Sequence, residues 1–222
     1  MAEHDVTLAG GIREKLVRAK ERWAREGRLL TGESSTPEAE RLPPGQRLVQ
    51  DFPVLDLGVQ PEVTRERWRL RVEGLVEERV ALDWDAFNAL PQRAWTNDIH
   101  CVTAWSRFDN LWHGVAARDL LMLARPKPEA RFVVFHAYDG YTTNVPLAVF
   151  AAEDALVAHS WNGRPLERAH GGPARVVIAR HYFWKSAKWV TRIELLAEDR
   201  PGVWEVRGYH NHADPWREER YG

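Results

Sequence analysis

The spacing of apolar residues changes period several times along the chain, and each change predicts a short element. Ile12, Leu16, Val17 and Trp23 recur at roughly helical spacing in a charged stretch, which predicts a surface helix over 12–28 with a thin apolar stripe. Residues 31–46, rich in Ser, Thr, Glu, Gly and Pro and ending in Pro43-Pro44-Gly45, predict an extended loop. Trp68, Leu70 and Val72 alternate with arginines, the pattern of a half-buried strand. Asp83 is placed to cap a helix that runs through Leu90 and stops at Pro91. Residues 93–102 predict a strand running into a loop, residues 114–124 an amphipathic helix ended by Pro126 and Pro128, and residues 131–136 a buried strand. Asn162-Gly163 is the signal for a two-residue hairpin turn between 155–161 and the segment from Arg164. Strands over 176–180, 190–196 and 203–206 complete the set.

Helices and strands are mixed without the regular βαβ alternation of a doubly wound sheet. There is no internal repeat and no glycine-rich phosphate loop of Walker or Rossmann form. The predicted class is α+β. Residues 1–51 are expected to form an N-terminal helix and extended arm packed on one domain spanning 52–222.

Composition narrows the choice of partners. The 31 basic and 32 acidic residues give a net charge of −1, so no global field draws the protein to nucleic acid or an anionic membrane. The longest apolar run, 145–152, contains Pro146 and is too short to span a bilayer, so no membrane span is expected. One cysteine cannot make an intramolecular disulfide, and the N-terminal residues lack a secretory apolar core; a cytoplasmic location is the expectation. Eleven tryptophans are many, and four of them (Trp84, Trp95, Trp105, Trp112) lie close together. Two uses fit them: a Trp-rich core, or aromatic walls around a flat ligand.

Three stretches carry candidate chemistry. Cys101 follows His100 where a strand gives way to a polar loop, and a thiolate there suits a nucleophile, a soft metal ligand or an inert buried side chain. His210 and His212 form a His-x-His pair near Asp214, which on a strand would face one ion; a solvated tail reads the same way. The densest segment joins His170-Gly171-Gly172-Pro173-Ala174-Arg175 to Tyr182-Phe183-Trp184-Lys185-Ser186-Ala187-Lys188-Trp189. Glycines permit close backbone approach, Arg175 offers a planar fork for phosphate, Ser186 and Lys188 add donors, and the aromatics add flat walls.

Taken together, His100-Cys101-Val102-x-x-Trp105-Ser106, His170-Gly-x-Pro-x-Arg175 and Lys185-Ser186-Ala187-Lys188-Trp189 make the chain resemble the sulfite-oxidase-like molybdopterin oxidoreductases. The likeness is greatest to the single-domain branch that contains the catalytic subunit of bacterial methionine-sulfoxide reductase. The resemblance implies a sulfite-oxidase-type fold and a Mo-molybdopterin cofactor in its plain form, without an appended nucleotide. It implies that Cys101 ligates molybdenum and is the catalytic residue, and that Ala137, His170, Arg175, Ser186, Ala187 and Lys188 contact the cofactor, with 52–56 near an N-terminal contact segment. Two-electron oxygen-atom transfer on a small sulfur- or nitrogen-oxide type substrate would follow, with electrons exchanged with a separate partner. The chain departs from the methionine-sulfoxide branch at His170, where that branch carries asparagine. Arg107, Arg180 and His181 are the nearest cationic candidates for a substrate anion. The alternatives are a redox-inactive molybdopterin scaffold or carrier, and a zinc-dependent hydrolase built on His210, His212 and Asp214.

Overall fold

In the computed structural model, residues 41–222 are described, together with Glu14, Val17, Arg18, Glu21 and Arg22. Those five positions are helical and Val17 is buried; the remainder of the predicted helix and residues 31–40 of the predicted loop lie outside the described residues.

Two mixed sheets organise the molecule. The first contains β1 (Arg47–Leu48), β4 (Gln92–Cys101), β5 (Trp105–Ala116), β8 (Leu156–Trp161), β9 (Arg164–Pro165) and β10 (Arg175–Val177). Its order is β1-β5-β8-β10, with β4 paired to β5 and β9 to β8. The second runs β3 (Val80–Asp83), β2 (Arg69–Gly74), β11 (Val190–Leu196), β6 (Phe132–Ala137) and β7 (Thr142–Pro146). β11 pairs parallel with β2, Ile193 opposite Val72, and antiparallel with β6, Ile193 opposite Phe135. One continuous core spans both sheets, drawing Leu70, Val72 and Ile193 from one and Trp112, Val157 and Val176 from the other. This is the mixed α+β architecture that the sequence predicts.

Local chemistry explains where elements start and stop. In β2 the arginines point outward and Leu70 and Val72 inward, so alternation alone fixes which face is buried. α1 (Trp84–Ala89) begins where Asp83 Oδ1 accepts from the Ala86 N–H at 2.9 Å. The hairpin from β8 to β9 turns at Asn162 (φ 47°) and Gly163 (φ 75°), the left-handed pair that a tight two-residue turn requires.

Three expectations need correction. Residues 114–116 belong to β5, and only Ala117–Ala124 form the helix α2. The strand is imposed by neighbours: Gly114 pairs with Ala158, and a Cβ on Gly114 would stand 2.1 Å from the Val157 carbonyl oxygen. Residues 203–206 are a turn leading into a 3₁₀ helix over Glu205–Arg207. The strand expected over 176–180 spans only Arg175–Val177. The sequence does not predict α3 (Leu147–Phe150) or strands β1, β3, β5 and β7.

Candidate active site

The β4–β5 hairpin delivers Cys101. Cys101 pairs with Trp105 across a three-residue turn, closed by the Ala104 N–H on the Cys101 carbonyl at 3.1 Å. Ala104 takes φ 66°, a left-handed conformation unfavourable for a residue with a Cβ, so surrounding contacts hold the turn in place. The Cys101 thiol is 7% exposed and lies 3.2 Å from Thr103 Oγ1. Behind it runs a chain of donated hydrogens. His100 Nδ1 donates to Ser106 Oγ (2.8 Å), Ser106 to Gln46 Oε1 (3.3 Å), and Gln46 Nε2 to the Cys101 carbonyl (3.1 Å). The chain needs a proton on His100 Nδ1, and since burial pushes the His100 pKa down to about 4 the ring that carries it is neutral at neutral pH.

A second set of residues comes from 169–175 and 183–189. Arg175 is 3% exposed and donates Nη1 to the His170 carbonyl (2.9 Å), Nη2 to the Ser186 carbonyl (2.8 Å) and Nε to the Val176 carbonyl (3.3 Å). Among the described residues no carboxylate lies within ion-pair distance of it. Burial pulls its pKa down to about 9, which still leaves it charged at neutral pH. Its guanidinium sits 4.2 Å above the Phe183 ring. His170 Nε2 donates to the Phe52 carbonyl (3.0 Å), and the two rings stack at 4.2 Å. Burial lowers the His170 pKa. Lys188 Nζ donates to the Ala169 carbonyl (2.8 Å), bringing the two segments together. Gly171 (φ 104°) makes that approach possible, since a Cβ there would stand 2.9 Å from Lys188 Cβ and 3.1 Å from Arg175 Cβ.

Both sets open on one cavity of about 130 Å³. Cys101, His170, Arg175, Ser186 and Lys188 line it, as do residues of 52–57. Ala137 and Ala187 do not: Ala137 ends β6 just before Asp139 and Tyr141, which do line it, and Ala187 serves through its carbonyl, which accepts from the Val176 N–H. The Ser186 hydroxyl accepts from the Ile178 N–H (2.9 Å), so its side chain braces the loop.

Of the four clustered tryptophans only Trp105 lines the cavity; Trp112 is core, and Trp84 and Trp95 pack against it. The other aromatic walls include Trp184, Trp189, Trp204, Tyr141 and Tyr209, beside Phe52 and Phe183. Trp184 and Trp189 were in the segment already singled out. Tyr141, Trp204 and Tyr209 come from turns whose sequence has no distinguishing pattern.

The remaining candidates lie elsewhere. Arg107 donates to Asn110 and covers the Trp161 ring, Arg180 pairs with Asp154, and His181 Nδ1 donates to the His212 carbonyl. None of the three lines the cavity. His212 Nδ1 hydrogen-bonds Glu219 (2.8 Å) while His210 Nδ1 accepts from the His212 and Ala213 N–H groups (3.2 and 3.3 Å), so the pair does not face an ion with Asp214. Among the described residues no group of three or more His, Cys, Asp and Glu side chains is arranged to hold a metal ion.

The chain is similar in sequence to known proteins. Residues 57–204 match the oxidoreductase molybdopterin binding domain. The chain is 45% identical over 185 residues to the oxidoreductase YuiH of Bacillus subtilis, covering 83% of this chain and 93% of YuiH. It is 29% identical over 173 residues to the protein-methionine-sulfoxide reductase catalytic subunit MsrP of Gluconobacter oxydans, 67% of this chain and 54% of that one. The crystal structure of the sulfane dehydrogenase SoxCD from Paracoccus pantotrophus has the same fold, with a TM-score of 0.59 at 21% identity over 67% of this chain and 42% of SoxCD. The chain thus spans nearly all of YuiH but only about half of the latter two proteins.

Proposed function

The chain belongs to the oxidoreductase molybdopterin binding domain family and is a molybdenum-dependent oxidoreductase. From that premise we propose that Cys101 supplies the protein's thiolate ligand to molybdenum, and that Arg175 with Lys188 and His170 receives the pterin and its phosphate. The reaction is oxygen-atom transfer on a small sulfur- or nitrogen-oxide type substrate. Reducing such an oxide consumes two electrons and two protons and releases water. The electrons come from a separate partner protein, and the setting is the cytoplasm.

The observation that carries this reading is Arg175. A buried arginine, 3% exposed and with no carboxylate in ion-pair reach among the described residues, is costly unless an anion meets it. Its five N–H groups include only three used by the protein's carbonyls, and it faces the same cavity as Cys101. Three further features fit the cofactor. The Cys101 thiol is a soft donor suited to a sulfur-ligated metal. The approach of the two loops at Gly171 makes a cradle that a side chain would fill. Buried Trp105 Nε1, on a residue lining the cavity, has no hydrogen-bond partner among the described residues.

When bound, the cofactor supplies a two-electron Mo(VI)/Mo(IV) centre. The protein's share is to hold the ligand sulfur, neutralise the phosphate and exclude water. Cys101 is fixed by its turn, Arg175 staples the 170 and 186 loops to one another, and Trp184, Trp204 and Tyr209 wall the cavity. Among the described residues no helix is long and apolar enough to cross a membrane.

Metal analysis by inductively coupled plasma mass spectrometry tests the assignment, on protein from a host that makes molybdenum cofactor. Wild type should carry about one molybdenum per chain, and Cys101→Ser should lose turnover by three or more orders of magnitude, roughly the scale of removing a group that acts in the reaction itself. Retained turnover in Cys101→Ser would overturn the ligand assignment.

A further inference from the structure

The family match ends at residue 204, yet the chain continues back to the cysteine turn. Tyr209 pairs with Tyr221, their rings 4.9 Å apart, and the Tyr221 hydroxyl donates to the Glu21 carbonyl (2.7 Å). That pairing leads Arg220 inward. Its side chain is 13% exposed, its guanidinium lies 5.3 Å above the Tyr182 ring, and Nη1 donates to the Val102 carbonyl, next to Cys101. From the other flank, ahead of the matched residues, Gln46 Nε2 holds the Cys101 carbonyl. The flanking segments also meet one another, since a Cβ on Gly45 would stand 2.8 Å from Glu218 Oε1 and 3.3 Å from Arg220 Nη2.

Consecutive carbonyls of a turn held in an unfavourable conformation at Ala104 are therefore tied by segments on either side of the matched residues. A backbone in that state relaxes unless its surroundings over-determine it. We propose that residues 208–222 are a clasp on the cysteine turn, and that Arg220 is a positioning residue that fixes the direction of the Cys101 sulfur. The same segment contributes Tyr209 to the cavity wall. The inference rests on the reading of Cys101 as the molybdenum ligand.

The test compares wild type, Arg220→Met and Arg220→Lys as full chains. In metal-free protein, iodoacetamide labels Cys101 while amide exchange is followed by mass spectrometry. Arg220→Met should be labelled about tenfold faster, with faster exchange confined to peptides covering 100–106, because local opening exposes only the segment it frees. Arg220→Lys should restore slow labelling, and Gln46→Leu, which releases the other carbonyl, should repeat the Met phenotype. In molybdenum-loaded protein the sulfur-to-molybdenum charge-transfer absorption should move in Arg220→Met and return in Arg220→Lys. Unchanged labelling in Arg220→Met, or exchange raised uniformly over the chain, overturns the clasp. If Cys101→Ser keeps the molybdenum and that absorption, the ligand reading fails instead.

Discussion

Lys185 and Arg175 are both buried cations in the same half of the chain, and their surroundings are opposites. Lys185 is fully buried, and its Nζ meets Glu205 at 2.7 Å and the Asn144 carbonyl and side-chain oxygens at 2.9 and 3.2 Å. Glu205 Oε1 also accepts from Thr143 and from Trp184 Nε1. Burial lowers the Lys185 pKa and Glu205 opposes that shift. Arg175 has backbone carbonyls, aromatic faces and an open side toward the cavity, but no carboxylate among the described residues. The first cation is complete within the protein and the second is not. Burial alone therefore does not mark a ligand site; burial without a counter-charge does.

Replacing Lys185 probes the complete one. Lys185→Met leaves Glu205 buried and uncompensated and should cost about 3–5 kcal/mol of stability, measured by denaturant unfolding with or without cofactor. Lys185→Met/Glu205→Leu should recover part of that, not all, because Thr143 and Trp184 lose their acceptor. Arg175→Met should do the reverse. Molybdopterin affinity should fall by about 1.5–3 kcal/mol, roughly ten- to a hundredfold, read as cofactor retained after gel filtration, while the cofactor-free protein loses much less stability than in Lys185→Met, because removing an unmatched buried charge offsets the lost bonds to the His170, Val176 and Ser186 carbonyls. Equal stability losses in the two single variants would erase the contrast.

A third effect is on pH dependence. His100 belongs to the hydrogen-bond chain behind Cys101, and burial holds its pKa near 4, against an ordinary value of 6.5. Unfolded imidazoles take up protons near the ordinary value and the folded one only near 4, so across that interval the unfolded state binds more protons. Stability should fall as the pH drops from about 6.5 to about 4. His181, held near 4 by burial as well, adds a slope of the same sign. Denaturant midpoints at several pH values check this, and His100→Asn should flatten the slope.

Elements whose signal is local were legible from sequence. The Asp83 cap, the Asn162-Gly163 turn, the alternation of Leu70 and Val72 and the strand at 190–196 all depend on a few adjacent residues. What failed depends on distant partners. Residues 114–116 carry helical spacing but are recruited by β8, and residues 203–206 look like a strand yet find none to pair with. The turn after Cys101 lacks the glycine or asparagine that would have announced it, since Ala104 is held left-handed by its neighbours. At the site, residues in compact motifs were visible as candidates. Tyr141 and Tyr209 were not, because each reaches the cavity from a separate turn. The unmatched charge of Arg175 cannot be read from a sequence at all, since it consists in what fails to surround the guanidinium.

The position of β11 has a consequence for the order of events in synthesis. It is the last strand of its sheet to leave the ribosome, yet it lies in the middle, between β2 and β6. Until it emerges, β2 with β3 and β6 with β7 are two strand pairs with no strand between them. Ser186, Lys188 and Trp189 arrive immediately ahead of it and Tyr209 and Arg220 after it. The cavity is thus completed only after β11 has been made, and a nascent chain stalled before residue 190 lacks both the strand that joins the two pairs and the walls that Trp204 and Tyr209 supply.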